Sequence, residues 1–225
     1  MRKLFLPMLA VVSVMFVVAP FIIAEAPYES TMGLIQKIFY FHVPSWVAMY
    51  TGIGVCGVAS ALYLFTDRKA ADGYAVAGAE VAVLFGLMGL VTGPLWGRKA
   101  WGIWWSWGDV RLVSAFLLEL IFIAYLLVRK YGGPGSEKLA AAAALFGTAA
   151  APFVYKSTDI WRTVHPKTTV VPKLVAGSDS VPAMAAPLGF SMLAFILLCV
   201  LLLTLRVNLA RQQAALDALY LDEED

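Results

Sequence analysis

Six apolar stretches, each long enough to cross the hydrocarbon core of a bilayer, constrain this chain more than any other feature of its sequence. They fall at residues 4–24, 46–65, 75–95, 112–129, 138–155 and 183–205, punctuated by polar residues, glycine or proline. A helix needs roughly 20 apolar residues to span lipid. The backbone inside lipid must also satisfy its own hydrogen bonds, so runs of this length select helices. The expectation is an all-α integral membrane bundle of six transmembrane helices forming one domain over residues 1–225. Composition agrees, because 61% of the 225 residues are hydrophobic and 14% are charged, more apolar surface than one water-soluble core hides.

Charge and cysteine usage exclude several functions. A formal charge of +2 gives no footing for nucleic acid, and the acidic run Asp222–Asp225 reads as a solvated end. Cys56 and Cys199 sit in apolar runs without a CxxC pairing and are read as buried thiols. Arg2 and Lys3 precede the first apolar run and Ala24-Glu25-Ala26 closes it, a pattern that imitates a secretion signal. The run exceeds the apolar core of such signals and is read as an uncleaved first span.

Short basic flanks orient the bundle. Arg2 and Lys3, Arg68 and Lys69, Arg129 and Lys130, and Arg206 and Arg211 fall on one side of a six-span topology. The excess of basic residues marks that side as cytoplasmic, with both termini and a C-terminal tail over 206–225. Parity places the loops after spans one, three and five together on the opposite face. Those loops hold both histidines of the chain, His42 and His165, and the stretch WGRKAWGIWWSWGDVRL at 96–112 with five of the seven tryptophans.

In FYFHVPSW, Pro44 is expected in the first turn of span two, where its missing N–H costs nothing. His42 would then stand at the membrane boundary beside a helix N-terminus, whose partial positive charge favours the neutral, metal-binding ring. In STDIWRTVHPKTT, Pro166 biases His165 toward an extended backbone. Two histidines are too few for a three-ligand zinc site, but they suffice as the axial ligands of a haem iron. The loop over 156–182 is long and carries Pro166, Pro172 and Pro182, so a ligand or partner is expected to order it.

The tryptophans complete that reading. A helix over 101–111 would place Trp101, Trp104 and Trp105 on one face with Trp107 at its edge, making a Trp-rich interfacial helix on the outer side. Indole faces stack on a flat apolar ligand, and Arg98, Lys99, Arg111 and Arg162 are the nearby cations for its acidic groups. An aromatic belt at the bilayer interface is the plainer alternative. Gly86, Gly89, Gly93 and Gly97 recur at helical spacing and are read as a face for close helix packing. Glu80 and Glu119 lie in apolar segments and are expected to face the bundle interior.

FHVPSW, WGIWWSWGDVRL and DIWRTVHP, in this order between six spans, resemble the CcmC-type haem-handling proteins of cytochrome c maturation over roughly residues 30–205. The resemblance implies that His42 and His165 are axial ligands of haem b, and that Trp101, Gly102, Trp104, Trp105 and Trp107 belong to a WWD-type haem platform, with Asp109 and Arg111 carried over beside them. It also implies a place in the inner membrane and partners: the ABC-transporter subunits CcmA and CcmB, the small membrane protein CcmD, and the chaperone CcmE, which receives haem on the periplasmic face. A haem transporter or chaperone is implied rather than an enzyme. One departure stands out: Gly108 separates Trp107 from Asp109, where the family has the aspartate directly after the last tryptophan. In a helix that insertion would rotate the downstream residues by about 100°.

Two other functions fit parts of the sequence. A b-type electron-transfer haem protein would carry histidines within its helices, and a structural subunit of a membrane transporter would use the tryptophans as anchors alone.

Overall fold

The computed structural model describes residues 2–28, 32–166 and 182–224. Its helices are α1 (Arg2–Glu25), α2 (Phe39–Thr66), α3 (Lys69–Ala100), α4 (Val110–Tyr131), α5 (Ser136–Ile160) and α6 (Pro182–Glu224), with a 3-10 turn at Leu34–Ile38 leading into α2. All six are long and apolar enough to cross a membrane. The chain is a multi-pass α-helical membrane protein. Residues 206–224 continue α6 without a break.

The connections differ between the two ends. At one end α2 turns into α3 through Asp67 in the left-handed region (φ 50°), and α4 turns into α5 through Gly133 and Gly135 (φ 72° and 86°). Glycine takes such angles without steric cost, which permits tight reversals. At the other end lie the segments after α1, α3 and α5, the three that parity groups together. Residues 167–181 of the expected long loop fall outside the described residues.

α2 and α3 form the closest pair because glycine faces glycine. A Cβ on Gly52 would lie 2.7 Å from the Ala82 nitrogen, and one on Gly78 would lie 2.6 Å from the Cys56 nitrogen. Around this seam Met49, Ile53, Phe85, Leu118, Phe122 and Phe195 fill the core. Cys56 and Cys199 are free and buried there, as expected from their surroundings. α1 packs on α6, and most of its other side chains face outward.

The two intramembrane carboxylates separate. Glu80 pairs with Arg206 across α3 and α6. Glu119 is buried beside Gly86, where an added Cβ would meet its Oε2, and neither of its oxygens has a hydrogen-bond partner among the described residues.

The expected Trp-rich helix does not form. Residues 101–109 are irregular: the Trp101 N–H closes α3 on the Gly97 carbonyl at 2.8 Å, and Gly102 then turns the chain with φ 77°. Asp109 is the N-cap of α4, accepting from the N–H groups of Arg111 (3.0 Å) and Leu112 (3.2 Å). A helix-stopping glycine and an N-capping aspartate override the tryptophan spacing. The rotation expected from Gly108 therefore has no helix to act on.

Helix α2 also begins earlier than expected, at Phe39, so Pro44 lies inside it and His42 is a helix residue in the first turn rather than a loop residue. Phe39 and Tyr40 are buried with Trp96 and Leu188, and this packing carries the helix past the proline.

Candidate functional site

Helices α2 and α3 fix His42 from two sides. Thr92, on α3, donates its hydroxyl hydrogen to the Met88 carbonyl at 2.7 Å. Its oxygen lies 2.8 Å from His42 Nδ1. With the hydroxyl hydrogen committed to the backbone, that oxygen accepts, so Nδ1 carries the ring proton. The lone pair is left on Nε2, which accepts from the Trp46 indole N–H at 3.1 Å.

Asp109 fixes the second histidine. Besides capping α4, its carboxylate accepts from the Thr163 hydroxyl at 2.7 and 2.8 Å and from the Val164 N–H at 3.0 Å. The His165 N–H in turn donates to Thr163 Oγ1 at 3.1 Å. One buried carboxylate thus ties the start of α4 to the segment after α5. Burial alone would raise its pKa, but the hydrogen bonds from Thr163, Val164, Leu112 and Arg111 outweigh that and hold it below the usual aspartate value.

His165 Nδ1 lies 2.9 Å from the Pro166 carbonyl, which only accepts, so this ring also carries its proton on Nδ1 and its lone pair on Nε2. Burial, reinforced by the Arg111 charge, lowers its pKa to about 4, which keeps the ring neutral near pH 7. The two imidazole centroids are 6.5 Å apart, with 39° between the planes. Two imidazoles joined to one metal through bonds of roughly 2.0–2.1 Å set their centroids about 6 Å apart.

A cavity of about 40 Å³ opens between them, lined by His42, His165, Trp46, Trp96, Trp101, Trp105 and Arg111, with Gly89 and Gly93 in its α3 wall. Trp105 Nε1 is a buried donor with no acceptor among the described residues. Arg111 is buried, donates to the Val154 carbonyl and stands 5.8 Å from the Trp46 ring centre. The site therefore brings together the His165 Nε2 lone pair, the His42 Nε2 lone pair held by the Trp46 indole N–H, an unused N–H and a cation within an aromatic wall.

The expected site residues divide. His42, His165, Trp101, Trp105 and Arg111 line the cavity, and Asp109 positions His165 from behind. Trp104 and Trp107 are 57% and 73% exposed and do not line it. Arg98 is exposed and donates to the Gly102 carbonyl at 3.1 Å, Lys99 lines a separate groove with Lys37 and Ile38, and Arg162 is exposed.

Three contributors are not among the residues expected to form the site. Trp46 comes four residues after His42, a helical spacing visible once α2 is known to start at Phe39. Trp96 stacks on Trp101 (6.2 Å, 25°) and meets the His42 ring edge-on (5.7 Å, 82°), although it lies outside the 101–111 segment expected to carry the platform. Thr92 comes from a different helix and carries no sequence signal.

The expected row of α3 glycines divides: Gly86 packs against Glu119 of α4 and Met49 of α2, as expected of a helix contact, whereas Gly89, Gly93 and Gly97 make room at this site. A Cβ on Gly89 would lie 2.6 Å from the Trp46 ring, on Gly93 3.4 Å from His42 Cε1, and on Gly97 3.2 Å from the Ile103 carbonyl oxygen. These three admit the side chains and loop of the site, while Gly52 and Gly78 make the contact between α2 and α3.

Residues 1–219 match the protein family described as Heme exporter protein C. The chain is 35% identical over 182 residues to the Heme exporter protein C of Bradyrhizobium diazoefficiens, covering 80% of this chain and 68% of that one. It is 30% identical over 210 residues to the Heme exporter protein C of Escherichia coli, covering 91% and 82%. A ccmC-like mitochondrial protein of cytochrome c biosynthesis from Marchantia polymorpha is 30% identical over 146 residues, covering 64% of this chain and 61% of that one.

Proposed function

Because the chain belongs to the Heme exporter protein C (CcmC) family, we propose that the site at the loop-bearing end of its bundle holds haem b between His42 and His165 and passes it to a CcmE-type chaperone on the periplasmic face. Haem handling for cytochrome c maturation in the bacterial inner membrane is the function that this membership supports. The observation that carries the detailed reading is the pair of neutral imidazoles 6.5 Å apart, each with its proton on Nδ1 and its lone pair on Nε2.

The donor set fits the ligand. Two neutral nitrogens suit the two axial positions of haem iron. Trp101 and Trp105 supply apolar surface, the unused Trp105 N–H suits an acceptor oxygen, and Arg111 suits a propionate. A macrocycle needs more room than the cavity of about 40 Å³ provides. The walls that can yield are the segments 102–108 and 162–166, which lie outside the helices.

The work of this chain is binding and orientation. Asp109 and Thr163 hold His165 in place, Thr92 holds the tautomer of His42, and the aromatic wall limits water. The exposed Trp104 and Trp107 offer apolar surface at the same end for the receiving chaperone. The ABC-transporter subunits CcmA and CcmB and the small membrane protein CcmD are the partners, both termini lie in the cytoplasm, and Arg98 and Arg162 serve the docking surface rather than the cavity.

The direct test mixes the haem-loaded chain with haem-free CcmE-type chaperone and tracks haem stain on the denatured chaperone band. Transfer that fails with His42→Ala and with His165→Ala supports the reading. Transfer undiminished by both substitutions contradicts it.

A further inference from the structure

The coordinating atom of His42 already has a partner. Thr92 fixes the ring proton on Nδ1, so Nε2 is the one nitrogen of this ring free to bind a metal, and the Trp46 N–H occupies its lone pair at 3.1 Å. Trp46 is held there by shape. Its indole lies over Gly89, where even a methyl group would come within 2.6 Å of Cε2, and the Arg111 guanidinium stands 5.8 Å from the ring centre. A lone pair serves one acceptor bond or one metal bond, so indole N–H and iron exclude each other.

We propose that Trp46 is a release latch: its indole N–H takes back the His42 Nε2 lone pair as iron leaves, so haem and Trp46 compete for a single atom. This rests on the reading of His42 as an axial ligand. A carrier that must surrender its cargo benefits from such a competitor, because the ligand returns to a hydrogen-bonded state instead of remaining a buried, unsatisfied acceptor. Thr92 makes the competition one-sided by denying iron the other nitrogen. Trp46 and Thr92 are thus positioning residues acting through His42.

The test loads the full-length protein in mild detergent with haemin and measures transfer to excess apomyoglobin. Trp46→Phe keeps an aromatic ring over Gly89 and removes the N–H. Loss of one neutral hydrogen bond from the released state slows transfer about two- to tenfold. Transfer as fast as the parent's, or faster, overturns the latch.

Thr92→Val keeps the side-chain shape and removes the acceptor that fixes the tautomer, so the low-spin haem signal weakens and Thr92→Ser restores it. An unaltered signal in Thr92→Val overturns the role of Thr92. Should Trp46→Phe fail to insert, the parent decides: its Trp46 indole proton is protected from exchange without haem and becomes exchangeable on adding haemin, and a proton equally exchangeable in both states overturns the latch. His42→Ala, run alongside, separates the two claims. If its absorption bands equal the parent's, the axial reading itself fails; if they are lost while Trp46→Phe transfers haem at the parent's rate, only the latch fails.

Discussion

The two ends of the bundle treat polar groups in opposite ways. Around the tight turns, charge meets charge: Arg129 bonds Asp72 and reaches Glu137, Lys138 meets Asp67, and Arg206 clasps Glu80 deeper along α3. At the other end Arg111 is buried with no carboxylate partner among the described residues, Trp105 keeps an unused N–H, and one histidine lone pair is held only by an indole. The first arrangement pairs charge with charge and holds helices together. The second leaves bonding capacity open, and open capacity inside a membrane protein is what a ligand site needs.

Glycine substitution probes the contrast most strongly. Gly89→Ala drives a methyl group into the Trp46 ring; overpacking of this kind costs about 1–3 kcal/mol and displaces His42 with it. Thermal unfolding in detergent and haem retention should both fall. Gly73→Ala near the paired end meets only the Ala210 methyl at 3.7 Å and should hold or gain stability by about 0.5–1 kcal/mol, as expected for a helical Gly→Ala change. Equal losses from both would erase the distinction between the ends.

Asp109→Ala comes next. Removing an N-cap costs about 0.5–2 kcal/mol, and here it also frees Thr163 and Val164, so haem titration should show at least about a tenfold weaker binding if the lost hydrogen bonds total about 1.4 kcal/mol. A variant that is destabilised yet binds haem like the parent would make Asp109 a cap alone. The smallest effect on the haem site belongs to Glu80→Gln. It removes the carboxylate partner of Arg206 within the span, so thermal stability should fall, and the haem spectrum should not move. A changed spectrum would couple the two ends.

Much of this architecture is legible in the sequence. The six spans and the gathering of His42, His165 and the tryptophans at one end come from hydropathy and parity, because lipid admits helices almost exclusively. Local conformation is less accessible. The tryptophan spacing suggests a helix that Gly102 and the Asp109 cap prevent, and Pro44 suggests a helix start that the burial of Phe39 and Tyr40 moves forward. The α3 glycines are equally visible, but whether they face a helix or an indole depends on the neighbour brought by the fold. Thr92 reaches His42 and Thr163 reaches Asp109 across 50 and more residues, beyond the reach of any local pattern.

The central claim is that two neutral imidazoles from α2 and from the segment after α5 grip one haem iron. Absorption spectra of the purified chain, oxidised and reduced, beside His42→Ala and His165→Ala, test it most directly. The account predicts low-spin bis-histidine bands in the parent that each single substitution abolishes or converts to high-spin. Parent-like bands in both variants, or a parent that neither retains nor rebinds haem, would contradict it.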